Sequence, residues 1–66
     1  MGIHMFFKGD DVLVPNRLMG HPLAPMTWYS TATIVDVDPV HGMVTVRDED
    51  GNQFTIEETE IKETGE

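Results

Sequence analysis

Sixty-six residues with no cysteine allow one small domain at most and exclude both a disulfide framework and a thiolate metal centre. Twelve acidic against four basic side chains give a net charge of −8, which works against gripping duplex nucleic acid through its phosphates and suits a basic partner. No run of about 18 apolar residues is present to cross a bilayer as a helix.

A chain this short buries only about 60% of its unfolded surface, so modest stability is expected. The N-terminus lacks a basic start followed by a long apolar stretch, so no signal peptide is read and a cytoplasmic location is expected. Met1-Gly2-Ile3-His4 reads as a cloning remnant, with the natural start at Met5 and the domain running from there to residue 63. The three histidines, His4, His21 and His41, are far apart and include no i, i+4 pair. No histidine metal site is expected.

Phe6-Phe7-Lys8-Gly9-Asp10-Asp11 leads into a short first strand in which Val12 and Val14 face inward. Pro15 ends that ladder by withholding a donor. Phe6 and Phe7 are expected to cap the open end of the core. The stretch from Asn16 to Met26 contains Gly20, Pro22 and Pro25, and its prolines exclude a regular helix. It reads as a long loop, the kind of segment that carries function in a small domain. Its methionines suit an adaptable apolar contact. The alternative is that Leu18, Leu23 and Met26 fold back over the core.

Thr27 to Val37 is rich in β-branched and aromatic residues. Ala32 and Ile34 share one parity, Val35 and Val37 the other. A strand that bends or bulges can serve both sets. Asp38 then leads into a four-residue turn, Pro39 to Gly42, with Val37 paired to Val44 and Val35 to Val46. Val44 and Val46 alternate with Thr45 and Arg47, as Phe54 and Ile56 do with Gln53 and Thr55. A loop of Glu49-Asp50-Gly51 pairs Val46 with Phe54 and Val44 with Ile56, keeping all four on one face. A loop one residue shorter would set Val46 against Thr55. Gly51 then takes the left-handed position of a type I turn with a G1 bulge. Glu57 to Glu60 suits one 3-10 turn, Ile61 returns to the core in a short last strand ending by Glu63, and residues 64–66 are a tail.

These residues together resemble an SH3-like barrel of the Tudor and KOW type. The resemblance rests on Lys8-Gly9-Asp10-Asp11-Val12, Ala32 to Asp38, Val44 to Arg47, Asp50-Gly51-Asn52 and Phe54-Thr55-Ile56, and covers nearly the whole chain. It implies an all-β, five-stranded barrel with a one-turn 3-10 helix before the last strand. It is specific for fold and not for function, because such barrels serve many roles. Tudor domains that read methylated side chains hold the cation in an aromatic cage. Here Trp28 and Tyr29 stand on one side, but the turn opposite offers Arg47, Asp48, Glu49 and Asp50, so the cage is not completed.

No nucleophile motif, phosphate loop or dinucleotide fingerprint occurs. Asp48-x-Asp50-x-Asn52 echoes the start of a calcium loop, but its twelfth position falls on Thr59 and its glycine sits at position four. No enzyme activity and no cofactor are expected. The reading that remains is a non-catalytic protein-interaction module or small accessory subunit, binding a basic or amphipathic protein surface. Arg17, Met19, His21, Leu23 and Met26 of the long loop would make the contact, with Trp28 and Tyr29 beside them. Asp48 and Asp50 would form a charged rim with Asp10, Asp11 and Glu49, the usual anatomy of a protein contact. The alternatives are nucleic-acid binding of the KOW type and an acidic decoy that mimics nucleic acid. An open sheet edge would add self-association.

Overall fold

A computed structural model describes residues 6–63. The cloning remnant expected at residues 1–4 and the tail expected at 64–66 lie outside the described residues. The fold is all-β, with four antiparallel strands in one sheet and, among the described residues, no helix beyond two 3-10 turns. The strands are β1 (Asp11–Pro15), β2 (Tyr29–Asp38), β3 (Met43–Arg47) and β4 (Gln53–Glu57). They lie side by side in the order β4-β3-β2-β1, and Lys62–Glu63 pair with Leu13 and Val12 along the far edge of β1. The expected closed five-stranded barrel is therefore met only in part. The last pairing is two residues long, and the sheet is not closed.

The β3–β4 hairpin follows its even-odd pattern. Val44 pairs with Ile56 and Val46 with Phe54, while Thr45 meets Thr55 and Arg47 meets Gln53 on the other face. The Thr45 and Thr55 hydroxyls bond across the strands at 3.0 Å. Gly51 has φ +87°, the left-handed value its turn requires. Asp48 holds that turn: its Oδ1 accepts from the backbone N–H of Asp50 and of Asn52, both at 2.9 Å. The β2–β3 turn runs from Pro39 to Gly42 and is closed by the Asp38–Met43 pair, with Val37–Val44 next along the ladder. There Asp38 accepts from the His41 ring at 2.8 Å.

One register differs from expectation. Val46 pairs with Ile34, not Val35, and the ladder resumes at Asp36–Thr45. Val35 is the extra residue of a β-bulge. The reason lies in the side chains. Ala32 and Ile34 are both buried, and Val37 packs against the same core from the opposite parity. Only an inserted residue between Ile34 and Val37 lets both sets reach one side.

The core comprises Val12, Val14, Ala32, Ile34, Val44, Val46 and Ile56, closed by Met19 and Ile61. Phe6, Leu18, Val37 and Phe54 pack around it. Phe7 does not cap the core as expected. It is exposed and lines a surface groove with Lys8, Val37 and Pro39. Two 3-10 turns, Asn16–Leu18 and Glu58–Glu60, are tied together by Arg17, which donates from Nη2 to Glu60 Oε1 at 3.1 Å.

Candidate functional site

The loop between β1 and β2 is pinned at both ends. The Asn16 backbone N–H donates to the Trp28 carbonyl at 2.9 Å, and Ser30 Oγ donates to Asn16 Oδ1 at 2.6 Å. Met19 then dives into the core, only 6% exposed. Beyond it the chain makes two tight turns, Ala24 N–H to the His21 carbonyl at 2.9 Å and Trp28 N–H to the Pro25 carbonyl at 3.0 Å. Pro22 and Pro25 restrict the backbone between them. Side chains on this stretch are held outward by a fixed scaffold, with Leu23 96%, Met26 74% and Trp28 57% exposed.

Two depressions lie on this face. The first, about 250 Å³, is lined by Met19, His21, Ser30 and Thr31 and by the turn residues Asp48, Glu49 and Asp50. The second, about 440 Å³, is lined by Asn16, His21, Pro22, Leu23, Ala24 and Trp28. His21 borders both, and the Ser30–Asn16 bond links a lining residue of one to a lining residue of the other. An acidic hollow and an apolar groove thus adjoin.

The sequence-expected residues divide accordingly. His21, Leu23, Trp28, Asp48 and Asp50 meet on this face. Met19 is chiefly a core residue, only 6% exposed, and reaches this face only as part of the wall of the acidic hollow. Arg17 is likewise used by the fold. It is half-buried against Glu60, and its Nε is buried without a hydrogen-bond partner among the described residues. Met26 is exposed but borders neither depression. Tyr29 is half-buried, with the Lys62 ammonium 4.7 Å from its ring centroid, a cation–π contact inside the protein. Of the expected acidic rim, Asp10 accepts from the Phe7 N–H at 3.0 Å and Asp11 from the Thr33 hydroxyl at 3.1 Å. Neither borders the acidic hollow. Leu23 and Met26 do not fold back over the core, whereas Leu18 does.

Asn16, Pro22 and Ala24 belong to the expected loop without being singled out in the sequence, and Ser30 lies outside it. Asn16 directly after Pro15 carried a usable signal, since an Asn at a strand end often bonds nearby backbone or side chains. The other three carry no chemistry that a sequence pattern marks. No group of three or more histidine or acidic side chains suited to a metal ion occurs among the described residues. No described helix is long and apolar enough to cross a membrane. No family model matches the chain, and no curated protein or solved structure matches it.

Proposed function

We propose that this domain is a non-catalytic protein-interaction module, or a small accessory subunit, with an SH3-like architecture of the Tudor and KOW type. The strand order β4-β3-β2-β1, with Lys62–Glu63 added outside β1 directly after a 3-10 turn, supports the architecture. The observation that carries the function is the apolar groove at Leu23 and Trp28 lying against an acidic hollow with a shared wall at His21. Exposed apolar side chains on a rigid loop beside charge are what a protein contact needs, and a basic or amphipathic partner surface complements them. The carboxylate best fixed in place, Asp48, is held by backbone N–H groups of its own turn. That is a structural employment rather than a chemical one. The acids fall at several separate turns, Asp38 at one end of β3 and Asp48 to Asp50 at the other. A partner reading fits this better than a decoy with acids in one continuous row.

Affinity capture from a lysate of the source cell tests the reading, with Trp28→Ala and Leu23→Ser as controls. Both residues are exposed, so these variants keep the fold. Capture of a specific protein by the wild type, lost with both variants, is expected. Capture of nothing specific, or capture indifferent to both changes, refutes it. Met19→Ala is unsuitable as a control because Met19 is in the core.

A further inference from the structure

The two depressions differ in what their side chains are free to do. In the acidic hollow Asp48 Oδ1 is occupied by the turn N–H groups of Asp50 and Asn52. The Glu49 and Asp50 carboxylates are exposed and make no hydrogen bond or ion pair with any described residue. They ride on a turn whose geometry Asp48 and Gly51 already fix. In the groove, Leu23 and Trp28 present apolar surface on a backbone braced by two turns and two prolines. The backbone of each half is already held by these turns, so the ordering cost of association falls on the side chains alone.

Their size and adjacency limit what can fill them. They share a wall at His21, and Ser30 of one bonds to Asn16 of the other. Side chains on the same side of an extended chain lie about 6.6 Å apart, two residues at about 3.3 Å each. Two adjoining hollows, one acidic and one apolar, suit an extended segment that places one side chain in each. Resting on the interaction reading above, we infer that this face binds a short extended segment of a partner protein through a basic side chain and an apolar one. The basic head meets Glu49 and Asp50, and the aliphatic or aromatic side chain lies on Leu23 and Trp28. Arginine suits the acidic hollow best, because its planar fork donates to two carboxylate oxygens at once and stays charged at every ordinary pH. The groove formed by Phe6, Phe7, Val37 and Pro39 lacks this complementarity, since Lys8 shares it with Asp36 and Glu58.

Selection from a displayed library of random dodecapeptides tests the inference, followed by titration of the synthesised winners into the protein while its backbone amides are followed by NMR. Enriched peptides are expected to carry an arginine or lysine within a few positions of a large apolar residue. Their shifts are expected on His21, Leu23, Trp28, Glu49 and Asp50. The double variant Glu49→Lys/Asp50→Lys and the variant Trp28→Ala should each weaken binding by about tenfold or more, the scale of one lost hot-spot contact. Phe7→Ser should leave it unchanged. All four positions are exposed, and an unaltered amide spectrum verifies the fold of each variant. Enriched peptides without a basic residue, affinity indifferent to the double charge reversal, or no enrichment at all would overturn the inference. Failure here alongside Trp28-dependent capture of a lysate protein sinks the extended-segment inference alone. Failure together with an empty capture also sinks the reading it rests on.

Discussion

The bulge in β2 makes a quantitative demand on two neighbouring residues. Ile34 is fully buried opposite Val46, while Val35 is the half-buried extra residue. Ile34→Ala cuts the side chain back to its Cβ methyl, losing about 2.5 kcal/mol of transfer free energy at ~0.8 kcal/mol per carbon. The cavity left in a packed core raises the cost to about 3–4 kcal/mol. A domain of this size rarely holds more than about 3–5 kcal/mol in total, so Ile34→Ala should sit at or past the edge of unfolding. Val35→Ala removes less carbon from a site already open to water, and should cost about 1 kcal/mol or less. Urea denaturation followed by far-UV circular dichroism separates the two. With a slope of about 1 kcal/mol per molar, the Ile34 variant should lose roughly 3 M of midpoint and the Val35 variant under about 1 M. Were Val35→Ala the costlier change, the bulge would be misplaced and β2 would pair straight through, Val35 against Val46.

Four further outcomes are expected. Gly51→Ala meets no neighbouring atom but forces a Cβ onto φ +87°, so thermal unfolding should report a loss of about 1 kcal/mol, and Gly51→Asn less. Asp48→Ala strips the β3–β4 turn of two acceptor bonds and should lower the melting temperature by several degrees, the effect of about 1 kcal/mol in a small domain. Arg17→Met should change stability by no more than about 1 kcal/mol, and added salt should shrink the difference, because its partner Glu60 is partly exposed. Titration with single-stranded and duplex DNA and RNA at low salt should give no saturable binding, and binding that weakens steeply with salt would revive the KOW alternative.

The hairpin was legible because its signal is local. Val44, Val46, Phe54 and Ile56 can share a face only through a three-residue loop, and Gly51 sits where that loop needs it. The bulge was half legible: parity showed that β2 must switch faces, but not at which residue, since Ile34 and Val35 are equally apolar. The burial of Met19 was not legible, because a methionine amid prolines looks like surface plasticity, whereas its burial depends on the packing of strands distant in sequence. Arg17 misled for the same reason, as Glu60 lies on the other 3-10 turn. Leu23 and Trp28 were found from the loop they occupy, but nothing in their spacing to Asp50 indicated that the β3–β4 turn would fold beside them. Closure of the sheet was expected from the need to protect edges, and the short Lys62–Glu63 pairing leaves that edge open.

Photo-crosslinking from defined positions tests the interaction face most directly. A benzophenone side chain placed at Leu23 should capture a partner protein in lysate, and Glu49→Lys/Asp50→Lys should abolish that adduct, while the same group at Val40, exposed on the β2–β3 turn, should capture nothing specific. An adduct formed from Val40 and not from Leu23, or one from Leu23 that survives the charge reversal, would contradict the account.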